Sequence, residues 1–157
     1  MNVALTVISA LACGLVTGLL YGFSVMVMPA FNEVTPDNGV AVMQAINRVA
    51  NRNPLFLLMF VGSAGLAVAM IVMSVADWGA PGYLFALLGG LIYLFGVIGV
   101  TAVFHIPRNN ALAAFGRDGV AANAYWPTYL NSWTAGNHVR AALGVAGTAL
   151  MILAVVR

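Results

Sequence analysis

The feature that most constrains this chain is a set of four apolar stretches, each long enough or nearly long enough to cross a lipid bilayer. They lie at about residues 3–28, 54–76, 82–104 and 131–156, and a membrane-spanning helix needs roughly 20 apolar residues. The last stretch reaches this length only if its helix begins near Asn131. Four spanning helices are therefore predicted, in an integral membrane protein.

The composition supports this prediction. Of the 157 residues, 62% are hydrophobic and 6% are charged, whereas a soluble domain carries about 25% charged residues. One membrane domain covering residues 1–157 is predicted. The six arginines are too few and too scattered for a nucleic-acid-binding surface. Cys13 is the sole cysteine, which excludes an intrachain disulfide bond.

Glycine spacing indicates how the helices pack. Gly14, Gly18 and Gly22 recur at every fourth position of the first span, and small residues at this spacing let another helix approach closely inside a membrane. The predicted fold class is all-α: a four-helix transmembrane bundle with short helices in the two long connections on one side.

The two long connections, at 29–53 and 105–138, carry most of the polar residues. Thr35 is predicted to cap an amphipathic helix in the first connection. In the second, Pro107 is predicted to end or kink the third span and Asn109 to cap a short helix, followed by a turn at GRDG, residues 116–119. Because five of the six arginines lie on this side, the long connections are predicted to be cytoplasmic, in a bacterial-type cell membrane.

A polar stripe marks the entry of the fourth span. Trp133, Asn137 and Arg140 follow one another at i, i+4 and i+7, so they share one helix face, with His138 on the adjacent face. Ionisable groups at membrane depth suggest a functional site. The alternative for Arg140 is a side chain that extends from a helix end toward the lipid headgroups.

Two histidines, His105 and His138, lie on the same side of the predicted bundle. They suggest a copper or haem site, but histidines near a membrane surface are common without any ligand. The chain contains no standard motif for phosphate, zinc, an iron–sulfur cluster or a serine nucleophile, so no metal ligands are assigned.

Three segments carry a resemblance to a known family: QAINR at 44–48, FHIPRNNALAAF at 104–115 and WTAGNHVRAALG at 133–144. Over nearly its whole length the chain resembles the DUF1772 membrane proteins, also called the anthrone oxygenase family. The matching positions are Gln44, Asn47, Arg48, Pro107, Asn109, Asn110, Trp133, Asn137 and Arg140. His105 departs from the pattern, because the family often has asparagine there.

The resemblance implies a reaction. Characterised fungal members oxidise anthrones to anthraquinones with dioxygen and no well-defined cofactor. It suggests an oxygen-dependent oxidase or oxygenase acting on a planar anthrone-like or phenolic molecule, with dioxygen as co-substrate and no cofactor expected. Histidine, with an unperturbed pKa of about 6.5, suits a catalytic base. The expected catalytic residues are His138, His105, Arg140 and Asn137, and the expected substrate-binding residues are Asn47, Arg48, Asn109, Asn110 and Trp133.

Two other classes of function stay open at this stage. One is a non-catalytic membrane protein that binds a small molecule or serves as a structural subunit, and the other is a metal or haem redox protein that uses His105 and His138. The expected partners are the lipid bilayer and a hydrophobic aromatic molecule, and a homo-oligomer is left open. Transport is disfavoured because no charged residue lies inside the first three apolar stretches.

Overall fold

The protein is built from five helices and, within the described residues 2–116 and 119–157, contains no strand. The computed structural model gives α1 (Val3–Glu33), α2 (Pro36–Ala50), α3 (Pro54–Ala76), α4 (Tyr83–Ala114) and α5 (Gly119–Val155). All except α2 are long and apolar enough to cross a membrane. The predicted all-α membrane bundle with four spans is confirmed, and so is the amphipathic helix in the first long connection.

Helix α4 is continuous but irregular. Its hydrogen bonding changes to the wider π pattern over Leu94–Gly99 and again over Thr101–His105 before the α-helix resumes at Ile106–Ala114. Pro107 lies in the first turn of that last segment, where a missing amide hydrogen is tolerated best. The prediction that Asn109 caps a separate short helix is wrong, because Asn109 lies inside the continuous helix.

Helix α5 begins at Gly119, twelve residues before the predicted start of the fourth span. Pro127 lies inside it. The early turns are stabilised by packing, since Ala122, Trp126 and Tyr129 join a core with residues of α1, α2 and α4. The predicted turn at 116–119 includes Arg117 and Asp118, which lie outside the described residues.

Glycines of α4 and α5 let the backbones of these two helices approach closely. A Cβ atom built on Gly89 would lie 2.9 Å from the carbonyl oxygen of Gly147. The glycine stripe predicted to pack α1 is different: nothing lies within 4 Å of a Cβ atom built on Gly18 or Gly22. Only Gly14 meets a neighbour, Thr148, so the prediction of close packing is wrong at the other two positions.

The four spans differ in length at one end. The 23 residues of α3 extend about 35 Å, close to the roughly 30 Å of a bilayer core. Helices α1, α4 and α5 have 31, 32 and 37 residues, and their additional turns meet α2 in one apolar core: Met28, Phe31, Val40, Met43, Leu112, Ala122, Trp126, Tyr129, Leu130 and Trp133. These turns and α2 form a cap on the bundle at the end with the long connections.

Candidate functional site

The stripe at the entry of the fourth span is buried where the cap meets the bundle. Trp133, Asn137 and Arg140 are 5%, 0% and 4% exposed, on the shared face that their spacing predicts. The Asn137 amide nitrogen donates to the Leu20 carbonyl at 2.7 Å and to Ser24 Oγ at 2.8 Å. Its Oδ1 atom accepts from Arg140 at 2.7 Å. Asn137 therefore connects α5 to α1 and fixes the guanidinium.

Arg140 is a buried cation held by neutral groups. Besides Asn137, its guanidinium donates to Thr101 Oγ1 at 2.8 Å and lies 5.3 Å from the centroid of the Trp133 ring system. Its Nε atom has no hydrogen-bond partner, and no carboxylate in residues 2–116 and 119–157 forms an ion pair with it. Because an unpaired charge is costly in apolar surroundings, this position suits an interaction with negative charge on a ligand.

His105 is buried beside the same indole. It is 1% exposed, and its ring meets Trp133 edge-on with a centroid separation of 5.0 Å. Nε2 lies 3.3 Å from the Trp133 carbonyl oxygen, which can only accept a hydrogen bond. The neutral ring that donates from Nε2 keeps an acceptor lone pair on Nδ1, and Nδ1 has no partner.

Asn109 links this buried cluster to an outer pocket. Its Oδ1 atom accepts from Tyr129 Oη at 2.8 Å and from Trp133 Nε1 at 3.0 Å. An indole N–H can only donate, so the amide oxygen must face Trp133. The amide nitrogen of Asn109 is thereby left for the pocket that this residue lines.

The outer pocket has a volume of about 550 Å³, within the roughly 300–1,000 Å³ typical of small-molecule sites. Asn47, one of its polar residues, has a buried amide nitrogen with no partner. Gln44 is fixed by donation to the Leu112 carbonyl at 3.0 Å. The residues that line the pocket are Gln44, Asn47, Arg48, Asn51, Asn109, Asn110, Ala113 and Gly116.

The predicted site residues thus fall into two connected groups. The outer pocket brings together Asn47, Arg48, Asn109 and Asn110, while Trp133, Asn137, Arg140 and His105 form the inner cluster. The two groups meet at the Trp133–Asn109 hydrogen bond. His105 is also one turn before Asn109 on α4, a spacing that places side chains about 5–6 Å apart.

His138 does not join either group. Its side chain is exposed, and it is two residues from Gly136, which faces Phe104 and His105. Two residues correspond to about 200° around a helix, so His138 faces away from His105. The structure does not bring the two histidines together, and the described ranges contain no group of three or more histidine, cysteine, aspartate or glutamate side chains placed for a metal ion.

Sequence reasoning missed Ser24 and Thr101, which bind Asn137 and Arg140. Both lie in or directly beside a π turn, Ser24 in Phe23–Val27 and Thr101 at the start of Thr101–His105. Each is a small hydroxyl residue inside an apolar span. Their roles depend on which helices become neighbours, and a single sequence does not reveal this.

These features define a class: a membrane-embedded helical bundle with a polar pocket at one end and a buried cation behind it. The family model described as "Anthrone oxygenase" matches residues 43–150, a range that includes every residue of both groups but not Ser24, the partner of Asn137 on α1. The chain belongs to the anthrone oxygenase family, which gives it a membrane oxygenase-like function at the level of the family. No curated protein and no solved structure matches the chain.

Proposed function

We propose that this protein uses dioxygen to oxidise a planar aromatic molecule of the anthrone or phenol type, bound in the outer pocket. Family membership supports the reaction class. The observation that carries the assignment of the pocket is the orientation of Asn109, whose oxygen is held by Tyr129 and Trp133. Its nitrogen, together with Asn47 and Arg48, supplies hydrogen-bond donors for a negatively charged oxygen.

The proposed chemistry needs these donors. Removing a proton from the CH2 group of an anthrone moves negative charge onto the ring carbonyl oxygen, and fixed donors stabilise such charge. The carbon then forms a bond to one atom of dioxygen, and protonation gives a hydroperoxide. Loss of water, with the second hydrogen of the carbon leaving as a proton, forms the new carbonyl. One oxygen atom stays in the product, the other becomes water, and no external reductant is consumed.

His105 is the proposed base, because its Nδ1 atom is unpartnered and the residue lies one turn before Asn109 on α4. Arg140 places positive charge behind Trp133, where it favours an anion on the pocket side of the indole. Trp133 positions Asn109 and His105 relative to each other. Its Nε1 atom donates to Asn109, its ring contacts the His105 ring, and its carbonyl oxygen lies 3.3 Å from His105 Nε2.

The test is oxygen uptake by the detergent-purified protein with anthrone, corrected for spontaneous oxidation. Asn109→Asp retains the oxygen that accepts from Tyr129 and Trp133 but removes the amide donor and adds negative charge. Because loss of one donor to a developing oxyanion costs about 10²–10³-fold in rate, we expect kcat/KM to fall about 100-fold. Asn131→Asp, at an exposed position on α5, is the matched control and should match the wild type.

Two results would contradict the proposal in different ways. If the wild-type protein shows no oxygen uptake above the spontaneous rate, the proposed oxidation of anthrone is wrong. If the wild type and the Asn109→Asp variant are equally active, the outer pocket is not the substrate site, and the proposed reaction class is unaffected.

A second candidate is a binding protein without catalysis. One observation favours it: among the described residues that line the outer pocket there is no histidine, aspartate, glutamate or cysteine, so a proton acceptor must come from the inner cluster. Saturable quenching of protein fluorescence by an anthraquinone, without any oxygen uptake from anthrone, would support this candidate over the oxygenase.

A further inference from the structure

A second concave surface lies on the neighbouring face of α2. This open groove has a volume of about 530 Å³ and runs between the last turns of α2 and the start of α3. Its lining residues are Ala45, Arg48, Val49, Arg52, Asn53 and Pro54. Arg48 also lines the outer pocket, so one guanidinium is shared by the two concavities.

The groove carries an uncompensated positive charge. Arg48, in the last turn of α2, and Arg52, two residues after that helix ends, are both exposed. Neither side chain forms a hydrogen bond or ion pair within the part of the chain that the structure describes. Among the described residues that line the groove there is no carboxylate. Asp37, the acidic residue of α2, is eleven residues before Arg48, about 16 Å along the helix.

The position of the groove points to a lipid headgroup. Helix α3 begins at Pro54 and at once presents Leu55 and Leu58, which are 76% and 71% exposed. On a membrane-spanning helix such side chains face the acyl chains, so the first residues of α3 mark the edge of the hydrocarbon core. Arg52 lies three residues before Leu55, at the level of lipid phosphates. The groove wall itself includes Val49, which is 62% exposed.

We propose that this groove binds the phosphate of an anionic phospholipid, held by Arg48 and Arg52. Planar guanidinium groups match phosphate oxygens through paired hydrogen bonds, and arginines next to a membrane are attracted to anionic lipids. Val49 and Leu55 contact the apolar part of the same lipid. The lipid site does not depend on the proposed oxidation, although the groove and the outer pocket share Arg48. Because Arg48 borders both concavities, a phospholipid bound in the groove lowers the positive charge that Arg48 contributes to the outer pocket.

A simpler explanation for the two arginines is their place near the C-terminal end of α2, where cations interact favourably with the helix dipole. The dipole requires no ligand and predicts no preference between lipids. The two explanations therefore differ in a measurable quantity, the ratio of affinities for an anionic lipid and a zwitterionic lipid with the same acyl chains.

The experiment titrates the detergent-purified full-length protein with phosphatidylglycerol or phosphatidylcholine and counts bound lipids by native mass spectrometry. Since each of the two arginines contributes about 1 kcal/mol near an anionic surface, we expect phosphatidylglycerol to bind about 30-fold more tightly than phosphatidylcholine. Arg48→Gln with Arg52→Gln should abolish the preference, and Arg52→Gln alone should reduce it. The control is Arg157→Gln, exposed at the C-terminal end of the chain, which should keep the preference.

Comparing the two lipids within each variant separates binding from folding, because a loss of folded protein lowers both affinities together. Equal affinities in the wild type would overturn the proposal, as would an equal loss of preference in Arg157→Gln. A third arm adds millimolar inorganic phosphate. Phosphate that leaves bound phosphatidylglycerol in place supports a lipid site, whereas phosphate that displaces it with the same arginine dependence identifies a site for free phosphate.

Discussion

Among single residues, Asn137 makes the largest number of side-chain hydrogen bonds in the inner cluster. Its nitrogen donates to a backbone carbonyl and a hydroxyl of α1, and its oxygen accepts from Arg140. An asparagine can serve both because one side of its amide donates and the other accepts. The residue is fully buried, so no water can replace a lost partner from the surface. We infer that Asn137 orients Arg140 rather than touching a substrate in the outer pocket.

This role predicts a loss of stability in Asn137→Ala. The substitution leaves Ser24 and one donor of Arg140 without a partner, and each buried unsatisfied group costs about 1–3 kcal/mol, although hydrogen bonds inside membranes average less. We expect the free energy of unfolding to fall by about 2–4 kcal/mol, measured by denaturant titration in mixed micelles. Asn131→Ala, exposed on the same helix, should change it by no more than about 0.5 kcal/mol. Equal effects of the two substitutions would show that the network contributes nothing to stability.

At the level of helices, the position of a glycine decides its effect. Gly89 and Gly147 let the backbones of α4 and α5 touch, and Gly136 admits the Phe104 and His105 rings. Gly18 has the same intrinsic properties, but no neighbour lies within 4 Å of the point that a Cβ atom would occupy. Sequence spacing identified glycines that could allow close packing, both on α1 and at Gly89, but not the residues they meet, because spacing says nothing about which helix is opposite.

The contrast gives a matched pair of substitutions. Gly89→Ala places a methyl group against the backbone of Gly147, which cannot move without shifting a helix, so we expect a loss of about 1–3 kcal/mol. Gly18→Ala should be neutral, or stabilising by up to about 1 kcal/mol, because alanine is the better helix former. Thermal unfolding of the two variants in one detergent measures the difference. Destabilisation by Gly18→Ala alone would indicate that a second helix covers α1 outside the single chain.

The ends of the helices show where sequence patterns stop being informative. Pro107 and Pro127 are ordinary signals for a helix end, yet both lie inside long helices. Packing explains this: Leu112 and Trp126, on the turns that follow or precede the prolines, are buried against the cap. The apolar stretches and the 3.6-residue spacing of Trp133, Asn137 and Arg140 were sufficient to predict the bundle and its inner face. The orientation of Asn109 and the separation of His138 depend on tertiary contacts that no local pattern encodes.

For the whole molecule, the extents of the helices imply one membrane boundary. Helix α3 fits the bilayer, and the other three extend beyond it on the side of α2. The outer pocket therefore lies in the cap, with the inner cluster just beneath it. The polar pocket is then adjacent to the membrane surface, and Arg48 at the end of α2 lines it.

This arrangement predicts which positions react with a maleimide that cannot cross membranes. Cys13 is fully buried, so the wild type should remain unlabelled and needs no cysteine removal. Ala124→Cys, exposed on the first turns of α5, should be labelled, whereas Val145→Cys, 54% exposed on the same helix, should be protected by lipid. Trp78→Cys, exposed in the short connection, marks the opposite side.

If the long connections are cytoplasmic, as the arginine distribution predicts, intact cells should label Trp78→Cys alone and permeabilised cells should label Ala124→Cys as well. Labelling of Val145→Cys as fast as Ala124→Cys would show that the membrane boundary lies elsewhere on α5, and the reverse order of Trp78→Cys and Ala124→Cys would place the outer pocket outside the cell.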